Sequence, residues 1–189
     1  MDWIRRHKWL LFALIFIGAF IAFFARWHTL REHSQDRVIL AAAARYGVEP
    51  ALVKAVVWRE SRFNPGITGR AHEIGLMQIR QVAAQEWATA EKISGFNHRQ
   101  LYDPARNTLA GTWYLHKLIG RYANTDNPLP YALADYNAGR THVLHWLKGA
   151  ASTNGAIFIE QINFPSMKDY VETVLRRYEH YRPIFPERN

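Results

Sequence analysis

The chain has 189 residues, about half of them apolar, a formal charge of +8 and no cysteine. Length and composition suffice for one globular domain plus a tail and exclude bulk disorder. The missing cysteine excludes disulfides and thiolate metal sites, while the positive charge fits polyanionic surroundings such as nucleic acid, anionic lipid or an anionic wall polymer.

The one dense basic cluster, Arg5-Arg6-His7-Lys8, ends an N-terminal tail over residues 1–8. From Trp9 to Ala25 no charged side chain occurs, and a helix of that length reaches about 25 Å, enough to cross a hydrocarbon core. Trp9 and Trp27 bracket the segment as interfacial anchors. Arg5, Arg6 and Lys8 precede it and Arg26 and Arg31 follow, a bias that favours a cytoplasmic N-terminus with the rest of the chain outside. A cleaved signal peptide is the rival, but a cut after Ala22 or Ala25 places Phe20 or Phe23 where a small residue is wanted, which favours an uncleaved signal anchor over 9–25. Residues 26–37 are polar without a clear apolar period and read as a juxtamembrane linker.

From 38 to 182 the pattern predicts helices punctuated by proline and glycine, an all-α domain with little or no sheet. Asp36 can cap a first helix carrying Val38, Ile39, Ala42 and Tyr46 on one face and closed by Gly47. Pro50 opens a second, whose Leu52, Val53, Val56 and Val57 lead to Glu60. After a glycine-containing loop from Asn64 to Glu73, a third runs through Met77, Ile79, Val82 and Trp87. Asp103-Pro104 begins a fourth, which ends near Gly120. Pro128 begins a fifth that ends at Ala138-Gly139. Thr141 to Lys148 gives a sixth and Ser166 to Tyr181 the last, before a C-terminal tail over 183–189. The basic residues are scattered and no glycine-rich phosphate loop or zinc spacing accompanies them, so nucleic acid, a metal and a cofactor are not expected.

Glu60 ends a helix that is apolar on nearly all faces. Burial there raises a carboxyl pKa, and the negative end of the helix dipole acts in the same direction. A carboxyl group that keeps its proton near neutral pH is a general acid in waiting.

Four segments then carry a resemblance: Glu60-Ser61-Arg62-Phe63-Asn64-Pro65, Gly75-Leu76-Met77-Gln78-Ile79, Ala134-Asp135-Tyr136-Asn137-Ala138-Gly139 and Tyr170-Val171-Glu172-Thr173-Val174. In this order and spacing they resemble the motifs of the soluble lytic transglycosylase family, relatives of goose-type lysozyme. The resemblance implies a lysozyme-like α fold that cleaves the β-1,4 bond between N-acetylmuramic acid and N-acetylglucosamine in peptidoglycan glycan strands. It implies Glu60 as the single catalytic residue, first general acid and then base toward the muramoyl 6-hydroxyl, leaving a 1,6-anhydromuramoyl end. Ser61, Met77, Gln78, Tyr136, Asn137 and Glu160 match positions that bind or surround substrate, Glu160 more as a structural or binding partner. Tyr170 and Val174, one turn apart, read as packing.

The motifs contain no obvious second catalytic carboxylate, and intramolecular attack by a tethered hydroxyl needs none. Three positions depart from the family. Where many members carry a serine that bonds the catalytic carboxylate, this chain has Gly69, Ala71 and His72, with Thr68 or Ser61 as substitutes. Arg80-Gln81 stands for the usual Met-Pro. Asp135 replaces a small residue and is expected to face solvent. The alternatives are a lysozyme-like hydrolase, which would need Asp135 or Glu73 across the cleft from Glu60, and a non-catalytic wall-binding module. The expected setting is a bacterial inner membrane, with the catalytic domain on its periplasmic side.

Overall fold

The computed structural model describes residues 2–185. The expected tail over 183–189 lies partly outside the described residues, as do the side chains of Arg5-Arg6-His7-Lys8. Two compact units divide at Gln35/Asp36.

The first unit is a single helix, α1 (Asp2–His33). Its apolar part is long and apolar enough to cross a membrane, and its most apolar stretch is not buried. The helix does not stop at Ala25: residues 26–33, expected as a juxtamembrane linker, are helical as well. The missing apolar period reports that no face is buried, and helix formation does not require one. Local pairs suffice, with Thr29 Oγ1 donating to the Ala25 carbonyl at 3.0 Å, His28 facing Glu32 at 3.7 Å, and Arg31 stacked over Trp27.

The second unit is all-α, as expected. Among the described residues its only β pairing is two isolated bridges, Thr68 with Ile74 and Ile74 with Ile79. It comprises α2 (Asp36–Tyr46), α3 (Pro50–Ser61), α4 (Gln81–Ala90), α5 (Pro104–Arg121), α6 (Pro128–Ala138), α7 (Arg140–Trp146), α8 (Gly155–Gln161) and α9 (Pro165–Tyr181). The signals that start these helices are visible as bonds. Asp103 accepts from the Arg106 N–H at 2.8 Å, Asn127 from Leu129 at 3.1 Å and Asn154 from Ile157 at 3.0 Å. Proline fills the first turn of α3, α5, α6 and α9.

α3 is the axis of this unit. All of its twelve residues except Arg59 and Glu60 are buried, and each Val or Leu so enclosed contributes about 1.5–3 kcal/mol. α9 packs along it through Tyr170, Val171, Val174 and Tyr178, while α2 and α6 rest on α5. At the other end Phe185, assigned to a tail by sequence, is buried against Lys54.

The third expected helix starts late. α4 begins at Gln81, and Met77 and Ile79 lie in the loop before it. Gln78 has left-handed backbone (φ 47°), which an α-helix does not accommodate. α8 was not anticipated: it opens on Gly155, with no proline in its first turn to mark its start.

Candidate functional site

Glu60 occupies the last turn of α3, which closes when Arg62 turns left-handed (φ 50°) and its N–H bonds the Trp58 carbonyl. The carboxyl group therefore emerges where the buried axis meets an open cleft of about 340 Å³.

One wall of the cleft is the loop from Ile67 to Arg80. At Gly75 (φ +78°) a Cβ would collide with Asn107 and the Leu101 carbonyl, so only glycine fits. Asn107, fully buried on α5, holds the loop with two bonds, Oδ1 accepting the Met77 N–H at 2.8 Å and Nδ2 donating to the Ile74 carbonyl at 2.7 Å, and Nδ2 donates a third to the Leu101 carbonyl outside the loop at 2.9 Å. The facing wall is the end of α6. Tyr136 donates its hydroxyl to the Met77 carbonyl at 2.7 Å, its ring leans on Tyr114 of α5, and Asn137 lies exposed at the rim. Gln78 lines the cleft with its amide donating to the Gly75 and Ile67 carbonyls at 2.9 and 3.3 Å.

Burial pushes the Glu60 carboxyl group up to about 7 from an ordinary 4.5, and the nearby Glu73 adds to the rise. Opposing it are the hydrogen bond from the Tyr170 hydroxyl, 2.6 Å from Oε1, and the charges of Arg59 and Arg80. Burial raises the Tyr136 and Tyr170 hydroxyls well above the ordinary phenol range, so both stay neutral donors.

The other carboxylates lining the cleft are each matched to a cation. Asp135 is buried and accepts from Arg121 Nη1 at 2.5 Å and the Tyr122 hydroxyl at 2.7 Å. The expectation that it faces solvent is therefore wrong, because its partners on or just beyond α5 become visible only when α5 and α6 pack. Glu86 pairs with Lys117. Glu73 accepts from Arg80 Nε at 3.2 Å and from the Ala71 N–H at 2.9 Å, contacts that hold it below the usual carboxylate range against the opposing effect of burial. Of these carboxyl groups Glu60 alone is bonded to a neutral hydroxyl and to no cation.

Of the residues marked by sequence, Glu60, Gln78, Tyr136 and Asn137 come together around the cleft. Met77 is buried, with its sulfur beside Gly111 and Thr112, and meets the site only through its backbone. Ser61 is buried and its hydroxyl is spent on the Val57 carbonyl at 3.0 Å. Glu160 is exposed on α8 and does not line the cleft. Thr68 bonds the Tyr102 hydroxyl at 2.7 Å. Neither Thr68 nor Ser61 stands in for the missing serine; the hydroxyl on Glu60 belongs to Tyr170. Sequence assigned Tyr170 to packing, which it also does, since its ring is buried while its hydroxyl reaches the site.

Comparison with known proteins gives a consistent picture. Residues 37–159 match the transglycosylase SLT domain family. Membrane-bound lytic murein transglycosylase C of Yersinia pestis is 33% identical over 154 residues, which cover 78% of this chain and 42% of the relative; its Yersinia pseudotuberculosis counterpart matches to the same extent. Among solved structures, the 70 kDa soluble lytic transglycosylase of Escherichia coli superposes with a TM-score of 0.71 at 27% identity, over 80% of this chain and 24% of that one. An inactive glutamate-to-glutamine mutant of the lytic transglycosylase Slt of Pseudomonas aeruginosa superposes with a TM-score of 0.70 at 26% identity, over 77% and 23%. This chain thus spans less than half the length of the relatives it matches.

Proposed function

The chain belongs to the transglycosylase SLT family, and from that premise we propose that it is a membrane-anchored lytic transglycosylase of peptidoglycan. It cleaves the β-1,4 bond between N-acetylmuramic acid and N-acetylglucosamine without water and leaves 1,6-anhydromuramoyl ends. The observation that carries this reading is the pairing pattern in the cleft: one carboxyl group held near neutrality, and every other lining carboxylate bound to a cation.

Glu60 protonates the glycosidic oxygen as the bond to the muramoyl anomeric carbon breaks. With Oε1 accepting from Tyr170, the proton rides on the other oxygen. The carboxylate left behind then takes the proton of the muramoyl 6-hydroxyl as that oxygen closes onto the anomeric carbon. The proton returns to Glu60, and the enzyme is unchanged. A pKa near working pH serves both halves, since the group must give a proton and then recover one. Gln78, Tyr136 and Asn137 line the space for the reacting sugar and offer amide and hydroxyl groups for its acetamido and hydroxyl substituents.

The N-terminal apolar helix supports an anchor in the bacterial inner membrane. The lysine and arginine bias supports a cytoplasmic N-terminus and a periplasmic domain. Protease added to spheroplasts should degrade the domain; full protection would reverse the orientation.

Incubating the full chain with peptidoglycan and weighing the products tests the chemistry. Anhydro ends are expected, with Glu60→Gln inactive yet folded. Reducing ends, or an active Glu60→Gln, would sink the assignment.

A further inference from the structure

The space in front of Gly69 is occupied by two side chains from its own loop. A Cβ built at Gly69 would run into Glu73 Oε2 first and Gln78 Oε1 next. Glycine at 69 therefore lets a carboxylate fold back over the loop and line the cleft that Glu60 opens into. Glu73 is fixed there from both sides, its Oε1 held by Arg80 and its Oε2 by the Ala71 amide. In the ion pair Glu73 is the more enclosed partner, its side chain 17% exposed against 62% for Arg80, so its charge is the less screened by solvent.

We propose that Glu73 is a positioning residue for this reaction, supplying a fixed negative charge in the cleft wall that keeps the proton on Glu60 until substrate is bound. The inference rests on the reading of Glu60 as acid and base. Of the other charged groups lining the cleft, Asp135 of α6 is paired with Arg121 and Glu86 of α4 with Lys117. Arg59 on its own helix, Arg80 ahead of α4 and the Tyr170 hydroxyl of α9 favour the ionised form, whereas Glu73 opposes it. Tyr136 of α6 is neutral.

The charge acts at each stage. Before the reaction it disfavours a second negative charge on Glu60. As the glycosidic bond breaks, positive charge grows on the anomeric carbon, and an ionised carboxylate already in place stabilises it without reorganising. Once Glu60 is ionised, the same repulsion makes it a stronger base toward the 6-hydroxyl. Two carboxyl groups in one cleft are thus driven apart in role by environment, one partly buried beside a neutral hydroxyl and inclined to hold its proton, one bonded to N–H donors and charged. In this role Glu73 acts through its charge and not by proton transfer, its two oxygens held in place by the Ala71 and Arg80 N–H donors.

The test is the pH dependence of kcat/KM for the full chain on peptidoglycan, with product ends weighed. In Glu73→Gln the alkaline limb should move to lower pH by about half to one unit, with anhydro ends retained. Arg80→Gln, which removes the opposing cation, should move the limb to higher pH. Opposite shifts from the two partners of one ion pair are not produced by loss of structure, because either change breaks the same bond. A limb unmoved in both variants, or moved the same way in both, overturns the inference while leaving Glu60 as the acid. Wild-type reducing ends that vanish in Glu73→Gln overturn it too, by making Glu73 the base for water. An active Glu60→Gln is the separate result that removes the underlying reading.

Discussion

Lys54 and Glu60 lie less than two turns apart on the same buried helix, yet the fold treats their charges in opposite ways. Lys54 is 1% exposed and fully provided for, with Asp36 at 2.6 Å and the rings of Phe63, Tyr181 and Phe185 between 4.2 and 5.9 Å from its ammonium. Glu60 receives one neutral hydroxyl. Where the charge is structural, the surroundings make it permanent. Where it belongs to the chemistry, the counter-charge is withheld and the proton stays movable.

The contrast breaks first at the lysine. Lys54→Ala removes one partner of an enclosed ion pair and three cation–π contacts, and should cost about 3–5 kcal/mol in thermal or urea unfolding. Adding Asp36→Asn should then cost little more, since the pair is already lost; additive losses would mean the two residues are not coupled.

Glu60→Gln should do the reverse. The folded-state pKa of Glu60, about 7, lies above its ordinary 4.5, so the folded protein holds a proton that the unfolded chain releases. The stability this provides is complete below about 4.5 and lost as pH rises through about 7. At pH 8 the glutamine variant should therefore be more stable than wild type by about 1–3 kcal/mol, with the gain gone at pH 4. Equal stabilities at pH 8 would show that Glu60 ionises freely.

The finest adjustment is Tyr170→Phe. Its hydroxyl favours the ionised carboxylate, so removing it should raise the alkaline limb of the rate profile by a few tenths of a pH unit to one unit. An unmoved limb would mean that the bond to Glu60 is absent in solution.

Much of this was legible in the residue order because it depends on neighbours. Asp103-Pro104, Pro128 and Asp36 announce helix starts that the structure realises within a residue or two. The apolar run before Glu60 foretold its desolvation. What stayed hidden depends on contacts between distant segments. Tyr170 shares a helix face with Val174, and nothing local says that its hydroxyl passes beyond the packing to reach Glu60. Asp135 looked like surface charge until α5 delivered Arg121. The left-handed turn at Gln78 and the folded-back Glu73 belong to a loop whose shape is dictated from outside it.

That outside agent is Asn107, and its position has a consequence for how the molecule comes into being. The loop from Ile67 to Arg80 has two isolated bridges and several short-range bonds of its own, while the Asn107 amide on α5, some thirty residues further along the chain, ties its Ile74 and Met77 to the rest of the fold. Such non-local closure is slow compared with helix formation. During refolding the helical signal should therefore return before the cleft does, and a newly made chain would pass through a helical but inert stage. A site assembled this way is completed last, and the proposed activity would appear only with it.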